Sequence, residues 1–316
     1  MVAKKLLKPA IIVAVISVVM ALVSIILMQN KFPSQSIGET LFAKTYDYGT
    51  KVNKIKLSSK DSTITLLQKN GYWGVEEADG YYSRLELVNS LLLALNNTTF
   101  YSKIVFSKDL LKNAKLDESG VLITTFADNI PIDEIIIGKN TKNSAYTFVR
   151  KKDSKEIWTV EGQFLLPTEF YSWIMQPVIE LPIDIVQEIS DGTITIGREE
   201  IGKKFRHQDN SIAVPTVLLN TASKIFVENV KKETSFDVNS YSKQRIIKFT
   251  LFPGLIIEYH LFYTEHEYWL KINLDKTPLP KKVVSAYIRD NEAFYNDWYF
   301  KLPKKIGRIL SLTPLR

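Results

Sequence analysis

The one concentration of histidine with acid in this chain is Glu258, His260, Glu265, His266 and Glu267, residue types that could hold zinc. Zinc needs three or four such ligands converging, with each imidazole oriented by a further group. Residues two apart on a strand share a face, so Glu258 and His260 point together, while the same alternation turns His266 away from Glu265 and Glu267. The cluster therefore reads as a solvated strand face, and no metal or other cofactor is expected. Three carboxylate pairs could in principle work across a sugar bond: Asp184 with Glu188, Glu199 with Glu200, and Glu292 with Asp297. Adjacent glutamates on an expected turn are more simply exposed charge. With His207, His260 and His266 the only histidines, candidate bases are few. No Gly-x-Ser-x-Gly elbow, Walker loop, His-Glu-x-x-His helix or Gly-x-Gly-x-x-Gly run occurs. The absence of cysteine removes disulfides, thiolate metal sites and a thiol nucleophile. The expectation is a protein that is not an enzyme.

The aromatic residues carry a different signal. There are 15 Tyr, 16 Phe and 5 Trp, many of them on expected strands, and most belong in a core. Tyr263, Tyr268, Tyr295, Trp298 and Tyr299 are the candidates for an exposed patch that would bind a protein or a glycan.

Charge places the chain better than chemistry does. The formal net charge is +7, from 41 basic and 34 acidic residues. Four of the basic ones, Lys4, Lys5, Lys8 and Lys31, flank a single apolar stretch, leaving 37 against 34 beyond it. No concentrated basic face remains, so nucleic acid is not an expected partner. Residues 10–28 hold no charge and only Ser17 and Ser24 are polar. As a helix they would span about 28 Å, the thickness of a bilayer's hydrocarbon core. The stretch is longer than a signal-peptide core, it closes with Leu27, Met28, Gln29 and Asn30, and the nearest small pair, Ser34 and Ser36, lies beyond it. It reads as an uncleaved anchor, and its basic flank keeps residues 1–9 in the cytoplasm with the bulk of the chain outside. The expected location is the inner membrane, single-pass, with a periplasmic or otherwise extracytoplasmic body. Ala10, Ala14, Ser17, Ala21 and Ser24 line one side of this helix, where small side chains let a second membrane helix approach.

Residues 29–50 contain Pro33, Gly38 and Gly49 and read as a tether. Beyond them two-residue alternation predicts strands over 54–57, 62–69, 72–76, 121–126, 133–138, 146–151 and 156–160, with Asn70-Gly71 as a tight hairpin turn. Leu85, Val88, Leu91, Leu92 and Leu95 predict a helix over 85–96. The second half replays this order, with strands over 185–190, 193–198, 203–206, 245–252, 255–263 and 267–273 and a helix over 212–222. Thr63-Ile64-Thr65 and Thr193-Ile194-Thr195 are landmarks of the replay, and helices through Trp173 and Tyr287 are expected to close the two units. The fold class expected is α+β and strand-dominated: two similar sheet-plus-helix repeats, residues 51–180 and 181–316, after one transmembrane helix.

The stretch from Ile64 through Asn70-Gly71-Tyr72-Trp73-Gly74-Val75, with Tyr81 and the leucine-rich helix after it, resembles an uncharacterised bacterial family. So do Tyr146-Thr147-Phe148-Val149-Arg150, Trp158, Trp173, Leu181-Pro182 and the late run Asp297-Trp298-Tyr299-Phe300-Lys301-Leu302-Pro303. The family is a domain of unknown function with one N-terminal membrane anchor, often encoded beside ABC transporters of the gliding-motility type. The resemblance covers nearly all of residues 40–316, but its motifs are strand and turn patterns, and it transfers no site residues. It implies an envelope accessory role: an extracytoplasmic scaffold subunit of a membrane complex, with ABC transporter subunits and the bilayer as partners. The alternative is a sensing domain that binds a ligand in a cleft between its two repeats.

Overall fold

Burial of Val52, Ile55 and Leu57 between half-exposed neighbours is what a half-covered antiparallel ribbon requires. The computed structural model describes residues 37–48, 51–143, 145–207, 216–252, 254–275 and 292–315. In it β1 (Val52–Ser58) and β2 (Thr63–Lys69) pair antiparallel with Ile55 opposite Leu66. Asn70 and Gly71 both take positive φ, 52° and 84°, and join β2 to β3 (Tyr72–Val75). That double left-handed turn matches the twist of the flanking strands, which is why Asn-Gly occupies it. After β4 (Tyr81–Tyr82), α2 (Leu85–Asn97) buries Leu87, Val88, Leu91 and Leu95. Each contributes about 2 kcal/mol by leaving water. Leu85, expected on that stripe, is 61% exposed, so the apolar stripe starts at Leu87 instead. Next come β5 (Phe100–Ile104), α3 (Lys108–Asn113), β6 (Val121–Ala127), β7 (Ile130–Asn140), β8 (Tyr146–Lys151) and β9 (Ile157–Glu161). The nine strands form one antiparallel sheet in the order β4-β3-β2-β1-β6-β7-β8-β9-β5.

The second half contributes β11 (Val186–Ser190), β12 (Thr195–Gly197), β13 (Arg206–His207), α4 (Thr216–Ala222), β15 (Asn229–Lys232), β16 (Lys243–Leu251), β17 (Ile256–Tyr263), β18 (Tyr268–Asp275), β19 (Trp298–Lys301) and α5 (Lys304–Leu312). Their sheet runs β13-β12-β11-β16-β17-β18-β19-β15, the order of the first sheet without β4. The registers also correspond. A bulge interrupts the β1–β6 pairing between Val52 and Lys54, and another interrupts β11–β16 between Val186 and Glu188. Thr65 pairs with Lys56 and Thr195 with Ser190, two residues beyond Lys54 and Glu188 respectively. A separate two-stranded ribbon pairs β10 (Ile179–Glu180), at the end of the first half, with β14 (Lys224–Ile225), which follows α4. The strand expected over 203–206 is shorter and later, at β13.

Two other expectations change. The expected tether does not run to residue 50, because Leu41 and Phe42 are fully buried and α1 (Ala43–Tyr48) packs on the first sheet. Thr45 fixes it there, its N–H and hydroxyl donating to Asp133 Oδ2 at 2.7 and 2.8 Å. Around Trp173 there is a 3-10 turn (Phe170–Ser172) rather than a helix, and the buried indole donates to the Pro167 carbonyl at 2.9 Å. The anchor segment with Ala10, Ala14, Ser17, Ala21 and Ser24, and the helix expected through Tyr287, lie outside the described residues. Among the described residues no helix is long and apolar enough to cross a membrane.

One apolar core runs through both halves. At the seam Tyr81 meets Trp298 and Phe300 edge-on, ring centroids 5.0 and 5.6 Å apart, and Tyr82 meets Phe294 at 4.6 Å. Asp79, held at φ 53° in the left-handed region, accepts from the Lys232 N–H at 2.8 Å and from the Ser235 hydroxyl. Burial, with Tyr295 and Tyr82 alongside, pushes the Tyr81 hydroxyl far above the ordinary tyrosine range.

Candidate functional site: the outer face of the second sheet

Strand alternation divides β16, β17 and β18 into two faces. Ile247, Phe249, Tyr259, Leu261, Leu270 and Ile272 point into the core. The other set faces outward, and register aligns it in rows: Lys248 opposite Glu258 opposite Asn273, and Ile246 opposite His260 opposite Lys271. Glu258 joins the rows. Its Oε1 accepts from Lys248 Nζ at 2.7 Å and its Oε2 lies 2.8 Å from His260 Nε2. Partial burial works against ionisation of Glu258, but the hydrogen bonds from Lys248 and His260 outweigh it and hold the carboxyl below the usual glutamate range. The ammonium of Lys248 is raised in turn, chiefly by its bond to Glu258. Ile246 is 41% exposed in the middle of this lattice.

At one end the face becomes aromatic. Phe262, Trp269 and Tyr299 are buried there beneath Phe236, Val238 and Tyr241, which belong to a strap over residues 233–241 made of two 3-10 turns. Phe236 stacks on Tyr299 at 4.0 Å and on Tyr241 at 5.2 Å. The Tyr241 hydroxyl donates to Glu267 Oε2 at 3.0 Å, while Lys301 Nζ holds Oε1 at 2.5 Å. Burial and the bond to Glu267 push the Tyr241 hydroxyl up to about 12. The bond from Lys301, against the cost of burial, lowers Glu267. Lys271 Nζ reaches Glu233 Oε1 at 2.6 Å and lies over the Tyr299 ring. The result is a flat surface of alternating charge with one exposed aliphatic side chain and an aromatic end sealed by its own chain.

The structure does not assemble the five expected patch aromatics. Tyr268 is buried opposite half-buried Tyr263 on the inner face, rings 5.9 Å apart. Helix α5 covers it: a Cβ at Gly307 would lie 2.2 Å from Tyr268 Cγ. Tyr295 and Trp298 are buried, Trp298 at the seam against Tyr81. Tyr299 alone faces outward, and there it lies under Phe236. The physical reason is the two-residue period, which sends neighbours such as Trp298 and Tyr299 to opposite sides.

Of the histidine-and-acid cluster, Glu258 and His260 do share the outer face, whereas Glu265 and His266 are exposed in the turn before β18. Among the described residues no three His, Asp or Glu side chains are placed to hold a metal. Asp184, Glu188, Glu199, Glu200 and Asp297 are exposed. Two hollows among the described residues are lined by the first half. One, of about 10 Å³, lies beside Leu57, Ile64 and Leu166, and the other is an open recess of about 380 Å³ beside Lys103, Val105 and Phe106. Sequence reasoning missed Lys248, Ile246 and Phe236. Lys248 becomes a partner of Glu258 only through the β16–β17 register, and the Phe-Asp-Val run after β15 gives no periodic signal.

A family model described as "Domain of unknown function (DUF4340)" matches residues 73–242. The match runs from the β2–β3 hairpin to the end of the strap and so takes in parts of both halves. No curated protein matches the chain, and no solved structure does.

Proposed function

The chain belongs to the DUF4340 family, and from that premise we propose that it is a membrane-anchored extracytoplasmic scaffold subunit of a membrane complex, its body a duplicated module. An ABC transporter is the first complex to test. In this reading residues 10–28 cross the inner membrane once with the N-terminus in the cytoplasm, and the work of the periplasmic body is interaction rather than catalysis. The observation that carries it is exposed Ile246 beside half-buried His260 and the Lys248–Glu258 pair, aliphatic and charged groups side by side on one sheet face. Such a mixture suits a protein interface, where a buried aliphatic anchor works inside a polar rim. A ligand cleft between the halves has less support, since the rings of Tyr81, Tyr82, Phe294, Trp298 and Phe300 occupy the seam.

Crosslinking in native membranes followed by mild-detergent purification tests the reading. Transporter subunits should copurify with the wild type and be lost about ten-fold from Ile246→Asp, the effect of a buried charge at an anchor position. Ala14→Leu with Ala21→Leu should weaken the same association through the membrane helix. Recovery of the chain alone from wild-type membranes sinks the scaffold reading.

A further inference from the structure

A second surface lies at the opposite edge of the first sheet. Strand β5 is the last strand there, and only its beginning is covered on the outer side: Gly38 N–H donates to the Phe100 carbonyl at 2.8 Å and Phe100 N–H to the Glu39 carbonyl at 2.9 Å. Past that point the chain runs out to Val105, 90% exposed, and Phe106, 44% exposed, before α3 begins. The recess of about 380 Å³ lies against these two side chains. Just behind, Tyr101 is half exposed and stacks on Tyr146 at 4.5 Å. Lys108, Lys112 and Lys155 are exposed near the tip against Asp109, while Glu156 is already paired with Lys103.

The place of this tip in the chain decides what covers it. The apolar segment 10–28 ends nine residues before Ile37, a reach of at most about 30 Å. Ile37 enters beside Phe100, and Val105 is five strand residues further on, about 17 Å. The most exposed apolar pair at this edge, with Lys108, Lys112 and Lys155 nearby, is thus tethered within reach of the membrane surface, at most about 47 Å along the chain path from the end of that segment. We infer that Val105 and Phe106 form a lipid-contacting tip, which dips into the headgroup layer of an anionic bilayer while the neighbouring lysines meet the phosphates. Apolar side chains entering the interface beside cations are the ordinary means by which a peripheral surface holds to such a membrane. This inference rests on the anchored reading above but not on the docking face of the second sheet.

The cysteine-free chain allows a single label to report it. Full-length Val105→Cys carrying a polarity-sensitive fluorophore is reconstituted into vesicles of phosphatidylcholine with a third of phosphatidylglycerol. A label at Asp128→Cys, in an exposed turn of the same sheet, serves as reference. Nitroxide lipids spin-labelled near the headgroup should quench the Val105 label about three-fold more than the reference, and Lys155→Glu should reduce that difference. Equal quenching at the two positions in chains that float with the vesicles overturns the lipid tip and leaves the scaffold reading intact. Chains that do not float with the vesicles overturn both. A Val105 label shielded only when copurified protein subunits are present overturns the tip in favour of a protein contact.

Discussion

The two sheets share a strand order and a register, yet their outer faces are finished differently. In the first, Leu122, Ile136 and Arg150 form the row that matches Ile246, His260 and Lys271 in the second. The first row is roofed. Helix α3 and the turn after it bring Ala114 and Leu116 onto Ile136 and Ile157, and Arg150 donates from Nε and Nη2 to the Leu116 carbonyl at 3.2 and 3.0 Å. The roof sits so close that Gly138 and Gly120 have no room for a Cβ, which would lie 2.2 Å from the Ala114 carbonyl oxygen and 2.3 Å from that of Lys115. The residue matching Gly138 in the second sheet is Phe262, which fills its own space and takes Phe236 from the strap as its cover. Topology alone therefore does not decide which face is free. A six-residue helix inserted after one strand, and two glycines to receive it, turn an open lattice into a closed one.

The sharpest way to break this contrast is Gly138→Val. The new side chain meets backbone that cannot move aside, and the variant should lose about 3 kcal/mol or more of stability by chemical denaturation. Gly197→Ala in the second sheet, where the nearest atom lies 3.5 Å from the new Cβ, should stay within about half a kcal/mol of wild type. If the two variants unfold alike, the roof is not the close fit described. Removing the strap's plug probes the second face. Phe236→Ala should cost about 2 kcal/mol, below the range for a fully buried ring, and should shift Trp269 emission to the red as water reaches it. An unchanged emission maximum would mean that the strap does not seal the aromatic end.

The smallest effect sharpens the charge difference. The carboxyl of Glu258 is held below its unfolded value, so its contribution to stability is present at neutral pH and is lost as acid carries the solution down through the depressed pKa. Glu258→Gln should lower stability at pH 7 by less than about 1 kcal/mol and flatten the decline below pH 5, because the pair with Lys248 is partly solvated. Parallel acid titration curves for the two proteins would show that the Glu258 cluster is energetically silent.

Much of this framework was legible in advance, for reasons that particular elements make plain. The alternation in residues 62–69, the Asn70-Gly71 pair and the leucine spacing of α2 are local properties, and each element appeared close to its expected place. Asn and Gly tolerate the positive φ that a tight hairpin needs, so those two residues mark the turn wherever the chain puts them. Glu258 and His260 were assigned to one face by parity alone, and the structure keeps them there. The expected aromatic patch does not form, since parity puts Tyr268 and Trp298 on the side that α5 and the seam cover. Leu41 and Phe42 failed differently: in a stretch of turn-forming residues nothing local marks two side chains for burial, and their place comes from contacts with a sheet built by residues that follow.

Taken by itself, the sequence determined the strand-rich α+β class, the hairpin and helix that open the first half, the long central strands of both halves, and an apolar segment at the start long enough to cross a bilayer. Those follow from periodicity and composition, which depend on neighbours a few residues away. The tertiary structure alone decided that the seam is filled with aromatic rings, that the first outer face is closed, and that the second remains open around Ile246 and His260. Each of these depends on which distant segment packs against a given face. Two sheets with matching strand registers can differ in that respect, because helix α3 and the glycines beneath it are present in only one of them.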